Sequence, residues 1–397
     1  MSNFFYIDVS THWSSLSVAF YLILGLVAVW GMNNAKSDEI RTGFLASYKN
    51  IYLFSWWSIW VFFAVFRLVS PDIGGTDAPT YVNYFENCNS AYRTSWFDHV
   101  EGDLGFKWIN KTIRFLNGNY HFYFLAVYGF MAYVYIAFLN TYTLKKSNWM
   151  PFILSFYLFL RSYNTIRSNL AIAIIALGCI FIIKRKWTWA YIIAFTSVFI
   201  HKSAIAFAMV VPFSHFFQEK KLSLKTIIFF ILVSIMLSGT LQIFFIQYAS
   251  VHELNGAYSY YANKSTGESF WANAWKIAFE QIALGAMMFL LKNKIGHGHD
   301  EKDSKRIHII WCICVFDMMM IPMNFVLGIW RGYEFFYLAR IIMWAECIYQ
   351  LFKTATKDLK LIICVGVLIA LAAWMCFRIY ATYEDSHLLP YVFEFLV

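Results

Sequence analysis

Arginines, one histidine–lysine pair and a few carboxylates are the residues of this sequence suited to holding an anion and moving a proton. Arg161 and Arg167 flank Ser162-Tyr163-Asn164-Thr165. Six residues apart on one continuous helix, they would point about 240° away from each other, so they converge only if the chain breaks between them. Arg340 has Tyr337 and Tyr333 at i−3 and i−7 on its own helical face, and Arg331 precedes that helix. A guanidinium suits a phosphate because its planar fork offers several N–H donors and never deprotonates. A single arginine of this kind equally well reaches lipid headgroups or pairs with Asp317, Glu334 or Glu346. Four on one side are less easily explained that way.

His201-Lys202-Ser203 lies between two short apolar runs, where His201 can take a proton near neutral pH and Lys202 can meet an anion. Gly74-Gly75-Thr76-Asp77-Ala78-Pro79-Thr80-Tyr81 follows another apolar run, and its glycines allow a tight backbone that aims Asp77 back toward neighbouring helices. Glu101, with Asp98 and Asp103, adds acidic groups to the same connection. A carboxylate of this kind serves as a base for a hydroxyl when burial raises its pKa. Asp77, Glu101 and His201 therefore compete for the role of base, with Asp77 the first choice. No metal site is expected: Cys312 and Cys314 lie about 200° apart around a helix, and His297-Gly298-His299-Asp300 sits in a charged loop.

The elements that must position these residues are apolar blocks. The 397-residue chain is 60% hydrophobic and 14% charged, against roughly 45 to 50% and about 25% for soluble domains. Continuous rather than alternating apolar runs select helices over a barrel. Spans are expected near 14–30, 51–69, 120–139, 149–162, 167–183, 187–200, 204–217, 226–247, 273–291, 307–329, 333–351 and 361–379. The fold expected is an all-α polytopic membrane protein of about twelve transmembrane helices, a single domain over 1–397. Larger connections are expected at 70–119, with an amphipathic stretch Leu104 to Leu116, and at 248–272.

Charge orients the chain. Alternate connections hold 19 of the 32 Lys and Arg residues, among them Lys145, Lys146, Lys184, Arg185, Lys186, Lys220 and Lys221. That side is cytoplasmic by the positive-inside rule, which places both termini and the candidate residues outside. The net charge of +9 then reflects topology rather than nucleic acid. The first apolar block lacks a basic leader and a small-residue cleavage site, so it reads as a retained helix. Short spans between 149 and 217 with polar ends are expected to tilt or break around an outward-facing cavity.

Three blocks in order resemble the EpsG and Wzy group of polysaccharide polymerases. They are Gly75-Thr76-Asp77 with Tyr81, Ile166-Arg167-Ser168-Asn169-Leu170-Ala171, and Phe199-Ile200-His201-Lys202-Ser203-Ala204-Ile205. The middle block has Ser168-Asn169 where the family form usually has Gln-Ser or a similar pair after the arginine. The resemblance implies a GT-C-like bundle in a bacterial cytoplasmic membrane that joins undecaprenyl-diphosphate-linked glycans on its outer face, without cofactor, nucleotide sugar or required metal. Arg161, Arg167, Lys202, Arg331 and Arg340 would then hold the diphosphate, and Tyr81, Tyr163, Tyr333 and Tyr337 would contact sugar. Membrane lipids and a chain-length regulator are the implied partners. A ligase of similar architecture is the nearest alternative, and a lipid-linked oligosaccharide flippase the alternative of another class.

Overall fold

A computed structural model describes residues 51–70, 74–89, 103–142, 161–202, 204–218, 223–251, 268–297, 299–322 and 332–360, with a few further positions up to 373. The expected spans at 14–30 and at 149–160 lie outside the described residues, as does most of 361–379. All regular elements among the described residues are helical. Three segments are long and apolar enough to cross a membrane: Tyr120–Leu139, Ile166–Ile183 and Glu334–Thr354. Shorter apolar helices cover Trp187–Ile200, Ala204–Phe217, Lys225–Thr240 and Ala278–Leu290.

The chain forms two compact units, 1–208 with 351–397, and 209–350. In the first, the described helices are α1 (Ile51–Val65), α2 (Ala78–Asn87), α3 (Leu104–Leu116), α4 (Tyr120–Tyr142), α5 (Ile166–Ile183), α6 (Trp187–Ile200) and α7 (Ala204–Ala208). Side-chain bonds fix their directions. Trp57 Nε1 donates to Gly129 O and His121 Nδ1 meets Val65 O, so α1 runs antiparallel to α4. Tyr128 meets Tyr163 O, Tyr135 meets Asn169 and Tyr142 meets Cys179 O, so α4 and α5 run the same way. α6 returns against α5 through the Lys184-Arg185-Lys186 turn, where Arg185 takes a left-handed φ of 53°. Gly178 makes that packing close: a Cβ there would meet Ala194 Cβ at 3.1 Å and Ala190 O at 3.0 Å. These directions are the ones that alternating basic loops require.

The second unit holds α8 (Val210–Phe217), α9 (Leu224–Val251), α10 (Glu268–Leu290), α11 (Glu301–Met319), a 3₁₀ turn (Gly332–Phe336) and most of α12 (Tyr337–Thr354). His308 Nε2 meets Phe217 O while Phe213 packs on Phe316, so α8 and α11 are antiparallel. Asp300 caps α11 by accepting from Asp303 N, and acidic Glu301 and Asp303 occupy its first turn, where the helix dipole favours them. The break between α7 and α8 follows from Pro212, which has no N–H for the helical ladder.

At the end of the first unit away from the basic turn, Arg67 is buried to 1% exposure just past α1. It donates to Ala64 O, to Gly74 O at 3.1 Å, to Tyr128 Oη at 2.8 Å and to Tyr163 O at 2.9 Å. The rings of Phe124, Tyr128 and Tyr163 lie 4.5 to 5.1 Å from the guanidinium carbon. One side chain thus caps α1 and ties it to α4, to the glycine segment and to the turn before α5.

Arg67→Ala leaves several buried acceptors without a donor, and hydrogen bonds to charged groups contribute about 1.5 to 3 kcal/mol each. The thermal midpoint in detergent should fall by well over 5 °C, with Arg67→Lys only partly restoring it. Cys88, half-buried after α2, has its thiol pKa raised above the usual value by burial, which outweighs Arg114 and Lys111. A raised pKa means less thiolate at neutral pH. A variant keeping only this cysteine should react slowly with maleimide in detergent at pH 7, and faster as pH climbs above 9.

Candidate functional site

The site is built where the ends of α3, α5 and α6 meet. Thr165 precedes α5, and the chain breaks between Arg161 and Arg167 as the spacing requires: Asn164 N and Thr165 N both donate to Arg161 O. Ser168 Oγ and Asn169 Nδ2 turn back to Thr165 O, and Asn169 also donates to Thr165 Oγ1 at 2.7 Å. Ser168 and Asn169 therefore stiffen the start of α5. The extended backbone of His201, with φ −154° and ψ 114°, ends α6.

Asp103, at the N-cap of α3 and 4% exposed, gathers three groups. Arg167 Nη1 lies 3.0 Å from its Oδ2, His201 Nδ1 lies 3.6 Å from the same oxygen, and Lys202 N donates to its Oδ1 at 3.2 Å. The Arg167 approach is an ion pair only. Its Nε and Nη1 are buried yet direct no N–H along a hydrogen bond among the described residues. Buried donors of this kind are costly unless a ligand takes them up. Gly105 lets α3 come this near, because a Cβ there would lie 2.9 Å from the Phe199 backbone.

The glycine segment joins the same end. Gly74 and Gly75 adopt φ of 86° and 111°, and a Cβ on Gly74 would lie 1.9 Å from Leu68 O, so only glycine fits. Asp77 N donates to Asn164 Oδ1 at 2.7 Å, which pins the start of α2 to the turn before α5. Asp77, Arg167, His201 and Lys202 thus share one end of the unit. Glu101 and Arg331 lie outside the described residues, and so does the side chain of Tyr333.

Other expected residues are buried among protein partners. Tyr163 is fully buried, donating from its hydroxyl to Trp60 O, and Tyr81 is 2% exposed with its ring edge-on to Phe106. Arg340 is fully buried in the second unit, its Nε 3.1 Å from Asp317 Oδ2 and its Nη1 3.4 Å from Glu280 Oε2. Its charge is therefore met within the protein, with Tyr337, 1% exposed, 5.6 Å away. Gln281 completes this group by donating to Asp317 Oδ1. His299 pairs with buried Glu346 at 3.0 Å. Among the described residues no cluster of three metal-binding side chains occurs.

Sequence reasoning missed Arg67 and passed over Asp103. The signal for Arg67 was an arginine at the end of an apolar run followed within eight residues by two glycines.

Three helices long and apolar enough to cross a membrane mark a polytopic membrane protein, with a charged cluster at one end of its first unit. The model of the EpsG family matches residues 51–393, and the chain belongs to that family. Membership points to a polysaccharide polymerase-type function with glycosyltransferase-like chemistry. No curated protein and no solved structure matches the chain.

Asp103→Asn removes the charge that gathers Arg167 and His201 while keeping the side chain's size. Turnover of the wild-type reaction should fall by about 10- to 100-fold, as for loss of one oriented charged partner. The thermal midpoint should change far less than in Arg67→Ala.

Proposed function

We propose that this protein is an inverting glycosyltransferase of a bacterial cytoplasmic membrane. It joins undecaprenyl-diphosphate-linked repeat units into O-antigen or a related surface polysaccharide on the membrane's outer face. The observation that carries the reading is Arg167, held at a buried carboxylate with donors that have no hydrogen-bond partner among the described residues. A departing diphosphate supplies the acceptors those donors lack.

In the reaction, an acceptor hydroxyl attacks the anomeric carbon of the donor glycan from the face opposite the diphosphate. The new C–O bond forms as the C–O bond to phosphate breaks, and lipid diphosphate leaves with the bonding pair. Arg167 and the Lys202 ammonium stabilise the charge that develops on it, with Arg161 in support. The hydroxyl proton passes to a base. The contact of His201 Nδ1 with Asp103 supports His201 in that role, since a carboxylate on one ring nitrogen orients imidazole for proton transfer at the other. Asp77, at the same end, is its competitor, and Glu101 belongs to the same connection. The twelve-span topology with both termini outside, the single domain with external segments 70–119 and 248–272, and an outward cavity belong to this reading.

The test is glycan lengthening by purified protein given lipid-diphosphate repeat unit without nucleotide sugar. Arg167→Ala should lower kcat/KM at least 100-fold, about 2.7 kcal/mol or more. An imidazole base gives an acidic limb in kcat/KM near pH 6 to 7, a carboxylate base one nearer pH 4. Transfer of glycan to a different acceptor would establish a ligase. Movement of intact lipid across the bilayer without lengthening would establish a flippase.

A further inference from the structure

α3 is too short to cross a membrane, yet it shows apolar surface on two sides. Phe106 and Asn110 are fully buried against α2, α4 and α6, with Phe106 stacked 6.0 Å from Tyr84. On the far side Leu104, Trp108 and Phe115 are 54%, 67% and 87% exposed. At 100° per residue these three fall within about 40° of one another. Lys107, Lys111 and Arg114 follow on the adjoining arc, spanning about 60°.

That order of protein face, basic stripe and apolar face is what an interfacial helix needs. The apolar arc suits the acyl boundary and the basic stripe suits lipid phosphates beside it. The helix also sits at the right depth. Its N-terminal end meets Phe199, at the end of α6, and His121, just past its C-terminal turn, is tied to the end of α1. It therefore lies among helix ends rather than along a span.

We infer that α3 is an in-plane anchor seated in one leaflet of the bilayer, Leu104, Trp108 and Phe115 among the acyl chains and the basic stripe on anionic lipid headgroups. Because Asp103 is its N-cap, the anchor holds Arg167 and His201 at the level of the lipid phosphates. This goes beyond the proposed reaction and does not depend on it.

The test uses the full chain in nanodiscs of phosphatidylethanolamine, with or without phosphatidylglycerol. Nitroxides are placed singly at 108, 115, 107 and 111, and collision with oxygen and with a water-soluble nickel chelate is measured. The anchor requires an oxygen-to-nickel ratio several times higher at 108 and 115 than at 107 and 111. Lys107→Gln with Lys111→Gln should lower the ratio at 115 only in discs containing phosphatidylglycerol. Equal nickel access at all four sites would overturn the proposal in favour of a water-facing helix. Exclusion of both reagents at 108 and 115, with spin–spin broadening, would overturn it in favour of a contact between two copies. Neither outcome bears on whether the protein lengthens glycans.

Discussion

A guanidinium buried at the end of an apolar helix must find acceptors or be expelled, and Arg67 finds them on four separate pieces of backbone and side chain. Removal from water costs a cation several kcal/mol, so the pieces that receive it are bound to one arrangement. The glycine segment, the turn before α5 and the start of α4 are all placed by that demand. Among the described residues no carboxylate pairs with Arg67. The stabilisation comes from carbonyl dipoles, the phenol and the ring faces, which suits a position where a competing acid would bring its own desolvation penalty.

Asp103 does the complementary work for the exposed side of the same end. It is one buried anion facing two potential cations and a backbone donor. With His201 neutral, as a base must be, the charges of Asp103 and Arg167 cancel, and on the proposed reading the Lys202 ammonium supplies the positive charge that a phosphate meets. The Arg340 cluster shows the opposite balance, with two carboxylates around one guanidinium. Two arginines equally prominent in the sequence thus have neighbours of different charge.

That contrast marks the limit of what was legible beforehand. Helical class followed from the continuous apolar blocks, and the turn between Arg161 and Arg167 from their spacing, which are local properties. Burial partners are not local. Nothing along the chain distinguishes Asp103 from Asp98 or Glu101, and nothing shows that Tyr163 turns its ring inward while its carbonyl serves Arg67. The glycines were readable as special backbone positions, but the carbonyl of Leu68 that excludes a side chain at Gly74 becomes visible only in three dimensions.

The tight seam between α5 and α6 at Gly178 has a consequence for selectivity. Arg167 and Lys202 stand at neighbouring ends of this hairpin, so the width of the seam sets how far apart their charges begin. On the proposed reading a leaving group with two phosphates can engage both cations, whereas one with a single phosphate reaches only one. A wider hairpin, forced by a larger residue at 178, would move the two charges out of step. On that reading a glycine near the closed end of the hairpin would act as a gauge for the headgroup at its open end.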